Sequence, residues 1–249
     1  MTPEDLPAAF ANFPPAWSQA LPGWTPSLAA EIFARVRQVS GERAIAPADP
    51  FRALRLVGPE AVKVVVLGQD PYPTAGHADG LAFSAGRGRP RSLARIFEVL
   101  AADRPSFRPP EVWSLDGWAR QGVLLLNPVL SVEVGRAGSH ERCGWQELTS
   151  RIVALLCARP QPPVFLLWGS RARAFFESVA PAEAAQPGPA PPECAPVLER
   201  AGGRVRAFVT RHPSYDFKRD FMRAGGSHFV ATQELVDWWA TGRSDEPVV

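Results

Sequence analysis

The chain has 249 residues, 46% of them hydrophobic, a net charge of +2 and three cysteines. That is enough apolar material for one core and one domain, while no run reaches the roughly 18 apolar residues a membrane span requires, and the acidic Glu4-Asp5 start is unlike a basic signal peptide. Cys143, Cys157 and Cys194 stand singly, which leaves no disulfide framework and no C-x-x-C cradle for a metal or an iron–sulfur cluster, so a cytoplasmic protein with free thiols is expected.

Residues 1–26, rich in Pro, Ala and Trp, read as an irregular lead-in to a domain over 27–249. Ser27 is placed to cap a helix running to Val39, with Leu28, Ile32, Phe33 and Val36 on one face. Four short apolar runs follow, Val62–Leu67, Val123–Leu126, Val164–Trp168 and Val205–Val209. Each is too short for a core helix and is read as a strand. Helical periodicity fills the intervals at Ser92–Ala101, Trp145–Cys157 and Arg171–Val179. That alternation predicts an α/β fold with a four-stranded parallel sheet flanked by crossover helices. The Pro/Ala-dominated stretch Ala180–Pro196 reads as an exposed insertion before the fourth strand, and Ala231–Trp239 as a closing amphipathic segment.

A charge of +2 neither demands nor excludes a nucleic-acid partner, since DNA responds to local clustering. Two clusters exist: Arg87, Arg89, Arg91 and Arg95, and Arg204, Arg206, Arg211, Lys218, Arg219 and Arg223, the latter diluted by Asp216 and Asp220. Each alone is equally compatible with a solvated basic face.

The four strands lead into Gly68-Gln69-Asp70-Pro71-Tyr72-Pro73, Asn127-Pro128, Gly169-Ser170 and Arg211-His212-Pro213-Ser214. Open parallel sheets bind ligands at the carboxyl ends of their strands, so these elements are expected to meet in one crevice. Singly, each is ordinary turn chemistry.

Five ordered blocks carry a resemblance over residues 25–240: Gly68-Gln69-Asp70-Pro71-Tyr72, Gly80-Leu81-Ala82-Phe83-Ser84, Leu124-Leu125-Leu126-Asn127, Leu166-Leu167-Trp168-Gly169-Ser170 and His212-Pro213-Ser214. Together they resemble the family 1 uracil-DNA glycosylases. The resemblance implies a monomeric, cofactor-free hydrolase that flips uracil out of single- or double-stranded DNA and leaves an abasic site, the first step of base excision repair. It implies that Phe83 stacks on uracil, Asn127 reads its amide edge, Tyr72 fills the space of a 5-methyl group and Gln69 adds positioning contacts. Asp70 then stabilises the sugar cation or activates water, and a neutral His212 donates to the uracil carbonyl oxygen. Ser92, Ser170 and Ser214 match phosphate-contacting positions, Ser92 doubling as a helix N-cap.

Two positions depart from the family pattern. Pro73 stands where many members carry histidine, and Asp216 where a leucine usually enters the duplex. A carboxylate is a poor wedge among phosphates and stacked bases. Tyr215 or Phe217 is therefore expected to fill the gap, with Lys218 and Arg219 on the backbone, and the opposite expectation is a preference for single strands. The same loop leaves open whether a DNA-mimicking protein inhibitor of the family binds. Because Lys63 and Lys218 are the only lysines, a Schiff-base lyase is not expected. The competing reading from another class is a product-retaining binder of uracil-containing or abasic DNA, which would have no need of both Asp70 and His212.

Overall fold

Strands β2 (Val64–Leu67), β3 (Val123–Leu126), β5 (Val164–Trp168) and β7 (Val205–Thr210) pair in parallel in the order β3-β2-β5-β7. The structure, a computed structural model, describes residues 1–21, 23–180, 197–200, 205–215, 221–222 and 227–241, with backbone alone for 197–200 and Tyr215. The sheet expected from the sequence is present. A fifth strand, β6 (Val197–Arg200), pairs antiparallel with β7 at one edge, and a two-residue ribbon joins β1 (Ile45–Ala46) to β4 (Val132–Glu133).

The inner strands are legible because both faces are covered. Val64, Val65, Val66 and Leu67 are all fully buried, as are Phe165, Leu166 and Leu167, and a parallel sheet covered on both sides selects continuous β-branched and aliphatic runs. Helix α6 (Asp116–Arg120) packs against β3, and α8 (Ser170–Val179) against β5 and α7 (Trp145–Cys157). In α5 (Arg91–Asp103), Leu93, Ile96, Phe97 and Leu100 form the buried stripe at i, i+3, i+4 and i+7. Each such side chain contributes about 1.5–3 kcal/mol on burial.

Several boundaries differ from expectation. The lead-in is structured: a 3-10 turn (Pro3–Asp5), α1 (Leu6–Ala11) and α2 (Pro15–Ala20) bury Leu6, Phe13, Trp17 and Leu21 against the core. Proline lies within the first two positions of each of the three, where its missing N–H costs nothing. Helix α3 (Pro26–Ser40) is capped by Thr25, whose side chain accepts from the Leu28 N–H at 3.3 Å, so Ser27 sits inside the helix and is not its cap. The first strand begins at Val64, two residues later than expected, because a 3-10 turn occupies Pro59–Ala61. After α4 (Arg52–Leu56) the order proceeds as above to α9 (His228–Ala231). That last helix ends where the expected amphipathic segment over Ala231–Trp239 begins. Turns follow, held by Leu235 N–H to Thr232 O at 3.0 Å and Ala240 N–H to Asp237 O at 3.2 Å, while Trp238 still reaches the core. Among the described residues no helix is long and apolar enough to cross a membrane. Of the proline-rich stretch only Ala180 is described, and it is buried; 181–196 lie outside the described residues.

Candidate active site

The sheet register brings the carboxyl ends of three strands together. Leu67 is level with Leu126 and with Leu167, and Gly68 N–H continues the ladder to Leu126 O at 3.0 Å. Gly169 joins the same edge through Thr210 O at 2.9 Å. A side chain at Gly169, where φ is +112°, would place its Cβ 2.9 Å from that of His212. Glycine there is what lets the histidine loop fold over the end of β5.

Above this edge lies a cavity of about 490 Å³ whose walls include Gln69, Asp70, Tyr72, Phe83, Asn127 and His212, together with Pro73, Ser92 and Ser214. Sequence segments separated by most of the domain thus meet in one place. Ser170 is absent from that wall and lines a neighbouring hollow of about 220 Å³ with Gln69, Gly169, Arg171 and His212. The backbone of Tyr215 forms the end of a 3-10 turn from Pro213, whereas Asp216, Phe217, Lys218 and Arg219 lie outside the described residues.

Phe83 is the one described non-glycine residue with positive φ, +65°. A bulky residue held there stores backbone strain and needs its surroundings to fix it. Tyr72 supplies the restraint: its hydroxyl donates to Phe83 O at 2.9 Å and accepts from Ser92 Oγ at 2.7 Å. Burial pushes the Tyr72 phenol above its ordinary range, so it stays a hydroxyl. Ser92 therefore anchors the tyrosine, and the cap position of α5 is occupied by Pro90. The ring of Phe83 packs against Trp168 at 5.0 Å and His212 at 5.6 Å, leaving it as a wall of the cavity.

The polar groups have distinct states. Asn127 is 9% exposed, and its amide makes no hydrogen bond within the described protein, which leaves donor and acceptor for an occupant of the cavity. Asp70 Oδ2 accepts from Gly138 N–H at 2.9 Å. Burial raises the Asp70 carboxyl; the Gly138 bond opposes that shift, Glu141 adds to it and Arg171 reduces it. Burial lowers His212 to about 4, so the ring is neutral at pH 7. Its Nδ1 accepts from Ser214 N–H at 3.2 Å, which assigns the remaining ring proton to Nε2.

Sequence reasoning missed Gly138, whose contribution is a backbone N–H with no side-chain signature, and the cavity-lining Thr74 and His77. Arg89 and Arg91 also line the cavity, and the first arginine cluster was the signal for them.

A family model described as the uracil DNA glycosylase superfamily matches residues 56–234. The chain belongs to the uracil-DNA glycosylase superfamily. Within it, the chain is similar to a uracil-DNA glycosylase of Bordetella parapertussis, 43% identical over 254 residues that cover 100% of this chain and 91% of the relative. A uracil-DNA glycosylase of varicella-zoster virus is 48% identical over 137 residues, 54% of this chain and 45% of the viral protein. The fold matches the crystal structure of mimivirus uracil-DNA glycosylase with a TM-score of 0.65 at 23% identity, covering 85% of this chain and 75% of that one. A variant of the mimivirus protein in complex with UGI matches with a TM-score of 0.64. Of the motif residues, Gln69, Asp70, Tyr72, Phe83, Asn127, His212 and Ser214 line the cavity.

Acid lability follows from the buried histidines. Burial holds His212 and His140 at about 4 and His228 at about 3, below the ordinary 6.5. His228 Nδ1 accepts from Trp168 Nε1–H at 3.2 Å, and Nε2 has no hydrogen-bond partner among the described residues. The unfolded chain therefore takes up these protons first, so stability is full above about pH 6.5 and is lost as pH falls toward about 4, by at most about 1.4 kcal/mol per pH unit per histidine. Asp70 and Asp79, raised by burial, act in the opposite sense nearer pH 4. Thermal unfolding is expected to show Tm dropping between about pH 7 and about pH 5. A flat or rising Tm in that window would refute the neutral buried histidines.

Proposed function

We propose that this chain excises uracil from DNA by hydrolysing the N-glycosidic bond, with Asp70 and His212 as the catalytic pair and Asn127, Phe83 and Tyr72 forming the base pocket. The observation that carries this reading is the convergence of those five residues on one cavity with the Asn127 amide uncommitted. An extruded uracil lies against Phe83. Its N3–H donates to the Asn127 carbonyl, its O4 accepts from the Asn127 NH2, and the fixed Tyr72 ring meets a 5-methyl group. Cytosine mismatches the amide and thymine collides.

As the C1′–N1 bond breaks, its electron pair leaves with uracil and is met by the Nε2–H of neutral His212. The ionised Asp70 faces the sugar cation, orients water toward C1′ and accepts its proton. The bond from Gly138 engages Oδ2, which leaves Oδ1 for water. Lys63 adjoins the amino end of β2, the edge opposite the site, which supports hydrolysis over Schiff-base chemistry.

Arg87, Arg89 and Arg91 are exposed, form no ion pair with a described residue, and two of them line the cavity. We assign them, with Ser170 and Ser214, to the DNA backbone; the phosphate contact expected of Ser92 is not assigned to its hydroxyl, which is spent on Tyr72. Arg89 is steadied over the Trp113 ring at 5.4 Å. The wedge is assigned to Tyr215 or Phe217, and the enzyme to action as a monomer on single and double strands.

The test is uracil release from a single-uracil oligonucleotide in molar excess over enzyme, in both strand forms and across salt concentration. Many turnovers support the glycosylase. Release that stops near one product per enzyme favours the product-retaining binder, and no release overturns the assignment. Replacing all three arginines by glutamine is expected to flatten the slope of log kcat/KM against log salt by about 2–3, whereas an unchanged slope removes them from the backbone contact. Loss confined to duplex in Phe217→Ala or Tyr215→Ala locates the wedge, and no loss in either sinks it.

A further inference from the structure

The mechanism leaves unused a buried polar chain behind Asp70. His140 is fully buried between two serines, with Nδ1 2.8 Å from Ser131 Oγ and Nε2 2.8 Å from Ser40 Oγ. Its directions are set from both ends. Ser131 Oγ accepts from Trp145 Nε1–H at 2.8 Å, while Ser40 Oγ donates to Glu133 Oε2 at 3.1 Å. Ser40, having spent its proton on the carboxylate, accepts from His140 Nε2–H, and the neutral ring accepts from Ser131 at Nδ1. Glu133 is 5% exposed and is also paired with Arg43 at 2.8 Å and Arg136 at 3.2 Å. Burial works against its charge, but the Arg43 and Ser40 bonds hold its carboxyl below the ordinary range.

These groups tie down both ends of one short turn. At one end, Glu133 N–H donates to Ser139 Oγ at 2.8 Å and Arg136 N–H to Glu133 O at 3.0 Å. At the other, Cys143 N–H donates to His140 O at 3.0 Å. Between the anchors, Gly135 N–H reaches Pro73 O at 2.8 Å, in the motif that carries Asp70, and Gly138 N–H is delivered to Asp70 Oδ2 at 2.9 Å. The side-chain anchors of this turn, Glu133, Ser139 and His140, act together with the backbone bonds from Gly135 N–H to Pro73 O and from Glu141 N–H to Gly138 O at 3.1 Å.

We propose that His140 and Glu133 are positioning residues for the glycosylase reaction: the Trp145–Ser131–His140–Ser40–Glu133 chain holds the 133–140 turn so that the Gly138 amide fixes the Asp70 carboxylate. The proposal rests on the assignment of Asp70 as the catalytic carboxylate. Besides Gly138, the charged groups acting on Asp70 are Glu141 and Arg171, with neutral His212 sharing its cavity. Releasing the amide removes the larger of the two backbone hydrogen bonds that draw the Asp70 pKa down, while the bond from its own backbone, Glu141 and Arg171 remain. Asp70 then protonates at higher pH, so the acid limb of kcat/KM moves upward.

The experiment compares wild type, His140→Gln, Ser40→Ala, Ser40→Thr and Ser139→Ala in steady-state uracil release over pH, with thermal unfolding alongside. His140→Gln and Ser40→Ala are expected to lower kcat by about ten- to a hundredfold, to keep KM within about twofold, and to shift the acid limb upward. Ser40→Thr, which keeps the hydroxyl, is expected to restore most of the rate. Ser139→Ala, at a partly exposed position, gives a milder version of the same signature should the buried variants fold poorly. In the Asp70→Asn background, His140→Gln is expected to add nothing, because the group it positions has been removed. Losses that multiply in the double variant, or a lowered kcat with an unmoved acid limb, would overturn the proposal. Failure of wild type to release uracil would instead strike at the functional assignment itself.

Discussion

Asp70→Asn is expected to lower kcat for uracil release by about 10²- to 10⁴-fold while KM changes little. The substitution is nearly isosteric, and the amide oxygen still accepts the Gly138 N–H that Asp70 Oδ2 accepts at 2.9 Å, so the turn and the cavity wall stay in place. What disappears is charge and basicity. Neither a sugar cation nor an attacking water has a partner once the carboxylate becomes an amide, and the loss falls on the transition state. The wild-type pH profile follows from the same groups. Burial raises Asp70, and protonation silences it, so activity falls on the acid side. His212, lowered to about 4, adds nothing above that pH, and Tyr72, raised by burial, keeps the alkaline side flat through the range where a free phenol would ionise. A variant retaining more than about a tenth of wild-type kcat would remove Asp70 from the chemistry.

Gly68→Ala is expected to abolish base recognition while leaving the fold intact. A Cβ at Gly68 would stand 2.2 Å from Asn127 Oδ1 and 3.1 Å from Ala82 Cβ. Gly68 cannot retreat, because its N–H is in the ladder with Leu126 O at 3.0 Å, and Ala82 is held through its N–H to Leu125 O at 3.0 Å. The Asn127 amide is the part that moves, and a uracil edge then meets no paired donor and acceptor. A loss of at least about 10²-fold in kcat/KM is expected, since sites built to hydrogen-bond a polar edge penalise its absence heavily. The check is kcat/KM on uracil DNA together with competitive inhibition by free uracil, both of which should weaken. Adding Asn127→Ala to Gly68→Ala should cost little more. Wild-type kcat/KM in Gly68→Ala would show that the amide does not read the base.

What was legible in the sequence was whatever a periodicity or a side chain advertises. Buried parallel strands advertise themselves as Val64-Val65-Val66-Leu67 and Phe165-Leu166-Leu167, and the polar residues just past them were expected at one edge from topology alone. The residues we assign to the base pocket and to the chemistry, Tyr72, Phe83, Asn127, Asp70 and His212, line one cavity. What stayed hidden depends on tertiary partners. Ser92 has the composition of a helix cap but spends its hydroxyl on Tyr72. Gly138 acts through a backbone amide, which every non-proline residue possesses. His140 is a lone histidine in the sequence, and only the fold brings Ser40 to one side of it and Ser131 to the other. The lead-in reads as irregular from its Pro, Ala and Trp content, whereas its prolines sit in the first turns of short helices, where they are tolerated. Strand β6 escaped notice because four residues beside a proline-rich run carry too little alternation to register.

The strand order β3-β2-β5-β7 also governs how the enzyme comes into being. Asp70 follows β2 and His212 follows β7, with β5 between them in the sheet. No hairpin or local unit contains the pair, and the two meet only after the chain has closed long loops around the central strand, the slow kind of contact in folding. Chemical competence therefore waits on slow long-range contacts in a refolding or newly synthesised molecule. A fragment that stops short of β7 lacks His212, the group we assign to the leaving base, so on that assignment an incomplete chain engaged on DNA lacks the means to cut a base loose.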